Sequence, residues 1–177
     1  LQAAIVGQHR VGADPSAARA VVTYCDYLPL AVRIAAGRLN LRAGYRISLL
    51  ATRLHDERHR LDELTLGDIG IRSSLRLSYD ALCRRKNATA ELAARALRVC
   101  GLLAIPILRV PALAAALGCP ASDADSAVDQ LVELHLLEPV GTDRVQLHDL
   151  VRLFAAELAH QVDDPAGHAA ALRNAYE

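Results

Sequence analysis

The sequence predicts a mainly α fold: a helical bundle followed by a winged-helix domain with one β-hairpin. Three observations lead there. Ala and Leu dominate a chain that is 53% hydrophobic but only 3% aromatic, and both residues favour helix. Apolar residues recur at helical spacing through most of its 177 residues. One stretch, LLEPV followed by Gly141-Thr142-Asp143 and RVQLH, carries the turn-flanked pattern of a hairpin instead.

The elements follow in order. In DPSAARAVVTYC, Asp14 is an N-cap and Pro15 opens the helix, with Ala18, Val21, Val22 and Cys25 as its apolar stripe. LPLAVRIAAGRL starts a second helix, with Pro29 in its first turn and Leu30, Ile34 and Leu39 along one side. ISLLATRL is a third, carried by Ile47, Leu50, Ala51 and Leu54. These predict a helical domain over 1–66.

A winged-helix domain is predicted over 67–162. Ile71, Leu75 and Leu82 mark its first helix, and CRRKNATAE is a polar loop. Asn87 or Thr89 caps the next helix, whose Leu92, Ala96, Leu97 and Cys100 face inward. Pro111 opens and Gly118 closes PALAAAL. Ser122 caps DADSAVDQLVELH, the hairpin follows, and a last helix runs on from Asp149. Helices followed by a two-stranded hairpin give the order of a winged helix. Asp164-Pro165 then predicts the start of a further helical element over 163–177.

Composition narrows the function. Twenty basic and 20 acidic residues balance to zero, so no global charge draws the chain to nucleic acid or anionic lipid. No apolar run reaches the ~18 residues of a membrane span and no signal peptide is visible, which predicts a cytoplasmic chain without membrane contact. Met is absent, so the sequence is expected to be part of a longer protein. Cys25, Cys83, Cys100 and Cys119 lack metal-knuckle or redox-pair spacing and are expected to be free thiols.

Four candidate sites rest on residue pattern alone. His55 and His59 in HDERH imitate a helical zinc motif, with Asp56 where glutamate would stand. Arg53, Arg58 and Arg60 crowd them and would repel a cation, so a solvated helix end is the better reading. The stretch from Arg33 to Arg60 holds seven arginines and two acids, Asp56 and Glu57, and reads as a solvated face before it reads as a docking surface for an anion. The helix after Ser122 would enter a DNA groove, but it offers Asp123, Asp125, Asp129 and Glu133 and no Lys or Arg. Direct DNA contact is therefore not expected. At the end of the hairpin, His148-Asp149 stands where a strand becomes a helix. That pair either ends the strand and caps the helix, or watches a phosphate.

Three phrases bear on that choice. CDYLPLAVRIAAGRL resembles the G-L-P-L-A segment of the NB-ARC proteins, the STAND class of signal-transduction ATPases. LRLSYDAL resembles the L-x-x-S-Y-d-x-L opening of their winged-helix domain. VQLHDLVRLFAAELA resembles their M-H-D motif and the helix after it, with Leu147 in place of Met. The idiom looks most like actinobacterial transcriptional regulators of the SARP type.

The resemblance implies a regulatory part of an ADP/ATP-switched protein, with Mg in the full-length parent. His148 would approach the β-phosphate of ADP and hold the closed state, Pro29 would lie against the adenine, and Asp149 would cap the helix and hold the turn. Expected partners are an upstream P-loop nucleotide domain, downstream helical repeats and a homo-oligomer on activation. No phosphate-binding loop of the G-x-x-x-x-G-K-[ST] type lies in this sequence. The chain is thus expected to be no enzyme by itself and to hold no nucleotide tightly alone. Tyr27 stands where the family has glycine and is expected to narrow the adenine pocket. The alternatives are a DNA-binding winged helix and a partner-binding scaffold with a degenerate nucleotide site.

Overall fold

The computed structural model describes residues 6–41, 44–103, 105–164, 169, 173 and 174. Most of the element predicted for 163–177 lies outside the described residues. The chain divides into two compact units, Leu1–Ser74 and Leu75–Glu177. The sequence placed its boundary at 66/67, on a small hairpin; the division falls further on, inside a helix.

The first unit holds α1 (Gln8–Ala13), α2 (Pro15–Tyr24), α3 (Pro29–Leu41), α4 (Ile47–His55) and α5 (Glu57–Glu63). Asp14 caps α2 as expected, its Oδ1 accepting from the Ala17 N–H at 3.0 Å. Leu39, Leu50, Leu54, Leu61 and Leu64 are among its fully buried side chains. Without Trp or Met to fill space, branched aliphatics and alanines make this core. Two-residue strands β1 (Thr65–Leu66) and β2 (Ile69–Gly70) then pair antiparallel. This second hairpin was not foreseen, because two residues per strand leave no alternation to read.

Helix α6 (Ile71–Cys83) leads into the second unit. There follow α7 (Ala88–Leu103), β3 (Ile107–Arg109), α8 (Val110–Leu117), α9 (Ala121–Glu133), β4 (Glu138–Pro139), β5 (Arg144–Gln146) and α10 (Asp149–Val162). Asn87 caps α7, its Oδ1 accepting from Ala90 N–H at 2.8 Å. Gly118 ends α8 at φ +64, where only glycine is unstrained. Helix α9 begins one residue before the expected cap: Pro120 occupies the N-cap and Ser122 is already helical.

The predicted hairpin is present and has a third strand. The sheet order is β3-β5-β4, all antiparallel, with Leu108 facing Val145 and Glu138 facing Gln146. Helix, strand, two helices and a hairpin returning beside that strand complete the winged-helix order. Pro139 is accommodated because β4 is an edge strand. Helix α7 is the spine of the unit, packed by α9 and α10. It is faced with Ala90, Ala93, Ala94 and Ala96, which lets neighbouring backbones come close. Gly101 marks the tightest approach: a Cβ there would lie 2.6 Å from the Ala155 carbonyl carbon and press on the Ala156 nitrogen.

Candidate functional site

His148 is placed by two constraints. Strand β5 ends at Gln146, and Leu147 ties the chain to the sheet side through its N–H to Pro106 O at 3.0 Å. His148 then takes the N-cap position of α10, extended at φ −61 and ψ 144, and its carbonyl accepts from Arg152 N–H at 2.8 Å. The imidazole makes no capping bond. Instead its Nε2 lies 2.9 Å from Glu138 Oε1 on β4, and its side chain is 24% exposed. The hairpin register explains the pairing. Glu138 opposes Gln146, so His148, two residues on, lies diagonally across on the same face.

Asp149 was expected to cap the helix. It is instead the first helical residue, one position inside the cap. Its Oδ1 accepts from Arg152 Nη2 at 2.6 Å and Nε at 3.0 Å. In the first turn its charge also suits the positive end of the helix dipole. Asp149 therefore holds the turn through Arg152 and its position, while the cap belongs to His148.

Pro29 lies in the other unit, exposed at the start of α3, where a missing N–H costs nothing. Before it the chain turns through two left-handed residues, Asp26 at φ +52 and Tyr27 at φ +57. The Tyr27 N–H reaches back to Val22 O at 3.2 Å, and the Leu28 N–H to Cys25 O at 3.0 Å. At Tyr27 the chain adopts a left-handed φ that glycine takes freely and tyrosine does not. The Tyr27 ring is 68% exposed, its Oη 3.4 Å from Thr23 Oγ1.

The other candidates resolve differently. His55 and His59 do not share a helix face, because α4 ends at His55 and Asp56 caps a new helix by accepting from Arg58 N–H at 3.0 Å. His55 Nδ1 meets Tyr24 Oη at 3.0 Å, and His59 Nδ1 meets Asp56 Oδ2 at 2.9 Å. That contact to His59, followed by the Arg58 N–H, holds the Asp56 carboxyl below its usual range. Among the described residues no group of three His, Cys, Asp or Glu could hold a metal. Burial pushes the Cys25 and Cys100 thiols up to about 12, so neither is a nucleophile near neutral pH. No described helix is long and apolar enough to cross a membrane.

The basic stretch is not uniformly solvated. Arg60 is 4% exposed; its Nε donates to Leu54 O at 2.6 Å and its Nη2 to His55 O at 3.2 Å. Arg38 and Arg53 both meet Glu63, at 2.7 and 3.4 Å. Sequence reading missed the burial of Arg60, which it had placed on a solvated face, and the Glu138 partner of His148. The hairpin register could have found Glu138; Arg60 had no signal, since a C-terminal carbonyl accepts from any donor that reaches it.

Fold and site together define a winged-helix unit with a histidine at the mouth of its last helix, preceded in sequence by a helical unit. Among known proteins, the chain is 42% identical over 159 residues to the regulatory protein AfsR of Streptomyces coelicolor, covering 90% of this chain and 15% of that protein. It is 40% identical over 161 residues to the regulatory protein AfsR of Streptomyces griseus, covering 91% of this chain and 16% of that protein. The chain thus spans only a small part of the relatives it matches. No family model and no solved structure matches it.

Proposed function

We propose that this chain is the helical and winged-helix portion of a transcriptional regulator, and that it works as the lever of an ADP/ATP switch. The observation that carries the regulatory reading is similarity along 90% of the chain to a segment of a regulatory protein. The finer reading draws support from the three NB-ARC-like phrases and from the setting of His148. An imidazole at the N-cap of a fourteen-residue helix, making no capping bond and already facing one anionic oxygen, is chemistry suited to a terminal phosphate.

In this reading the nucleotide supplies a polyanion: His148 donates to the phosphate, and Asp149 and Arg152 hold the turn that aims it. The closed state gains whatever these contacts contribute, and exchange of nucleotide shifts the population toward the open one. Hydrolysis and Mg binding belong to an upstream P-loop domain, so this portion has no catalytic residue. Downstream repeats and self-association on activation complete the scheme, which places the protein in the cytoplasm.

The completed wing keeps direct DNA contact as a second reading. The helix that would enter the groove exposes Asp123, Asp125, Asp129 and Glu133, which a phosphate backbone repels, so the switch reading is preferred.

The test is ADP affinity of the full-length protein, native and His148→Ala. A hydrogen bond to a charged group is worth about 1.5–3 kcal/mol, so the variant should bind at least about tenfold more weakly. Equal affinity would return His148 to a purely structural place at the strand end.

A further inference from the structure

We infer that Glu138 is a built-in competitor for the anion at His148, a carboxylate on the wing that weakens the grip of this site on a nucleotide phosphate. The inference rests on the switch reading above and adds a regulatory residue to it.

The geometry carries the argument. Glu138 Oε1 lies 2.9 Å from His148 Nε2. One imidazole nitrogen has one N–H direction, so Nε2 cannot donate to a carboxylate and to a phosphate together. Glu138 is held within reach by register, opposite Gln146 and diagonal to His148, and not by a flexible loop. Its side chain is 57% exposed, so it can swing to solvent when displaced. Nearby Asp149 is already engaged by Arg152, and Arg144, on the same hairpin, lies 3.9 Å from Asp143.

The prediction has a sign opposite to that of the histidine. In the full-length protein, Glu138→Gln should bind ADP about three- to fivefold more tightly than native, the fold-change that an exposed ion pair corresponds to, while His148→Ala binds more weakly. In the double variant the Glu138 effect should vanish, because competition needs the imidazole. Unchanged or weaker binding by Glu138→Gln, with His148→Ala still weak, overturns the competitor and leaves the switch standing. Tightening that persists without His148 also overturns it, since that is charge repulsion alone. If native protein binds no ADP, or ignores His148→Ala, the switch reading fails and the inference falls with it. Glu138 is exposed on an edge strand, so the Gln variant keeps the fold.

Discussion

Arg60 in the first unit and Arg98 in the second are both withdrawn from water, and they are held in different ways. The Arg60 guanidinium donates to the Leu54 and His55 carbonyls, the last turn of α4, and lies 5.3 Å over the Tyr24 ring. Arg98 donates to Asp163 Oδ2 at 2.8 Å and to Tyr79 Oη at 2.9 Å. Burial works against the Arg98 charge, but Asp163 and Tyr79 overcome it and hold its pKa above the usual value. The first arginine satisfies backbone groups that a helix end always leaves over. The second links side chains distant in sequence, and Tyr79 in turn meets Phe154 edge-on at 6.4 Å.

The difference teaches how the two units are stapled. Short helices dominate the first unit, so many C-terminal carbonyls need donors, and arginines supply them. Arg10 does the same work at the last turn of α3, donating to Leu39 O at 2.9 Å, and also reaches Tyr45 O, ahead of α4, at 2.8 Å. Long helices dominate the second unit, so fewer ends need care, and its specific contacts lie between helix faces. Small residues let those faces close.

The largest effect should come from breaking that close approach. Gly101→Val places a side chain against the backbone of α10, which cannot yield as a side-chain tip could. It should cost about 3 kcal/mol or more, read by hydrogen exchange as lost protection in α7 and α10 before the first unit is affected. A variant with native protection there would mean the two helices sit further apart.

Next come the two arginines. Arg60→Met keeps the bulk but leaves buried carbonyls without this donor and should cost about 2–3 kcal/mol. Arg98→Met leaves Asp163 free to turn to water and should cost about 1–2 kcal/mol. Melting in low and high salt sharpens the contrast. The Arg98 contribution should shrink with salt because its partner is a carboxylate, and that of Arg60 should hold. Equal salt dependence would erase the distinction.

The smallest effect should be a gain. Tyr27→Gly removes the cost of a left-handed tyrosine whose ring buries little, and should raise stability by about 1 kcal/mol. A lower melting temperature would show that the exposed ring contributes more packing than its position suggests.

Much of the fold was legible in the sequence. Asp14, Asn87, Pro111 and Gly118 act locally, through the few backbone groups beside them, so caps and stops could be read from residue type and spacing. The hairpin and the winged-helix order were legible for the same reason. Strand β3 was not: Ile107–Arg109 is three residues long and becomes a strand only because β5 arrives beside it. Half of the candidate site was legible too. The motif pointed to His148, but Asp149 was read one position out of place, since only the backbone φ and ψ tell the cap from the first helical residue.

By itself the sequence determined most of the longer helices, several of their caps and stops, the winged-helix order and the position of the His-Asp pair, because these depend on periodicity and on contacts within a few residues. The tertiary structure decided the rest. It split His55 from His59 by ending a helix between them, turned Arg60 inward onto carbonyls, brought Asp163 to Arg98, and set Glu138 on His148. Each of these needs groups to meet through the folding of one element against another. Such meetings depend on register and packing, which residue type and local spacing leave open.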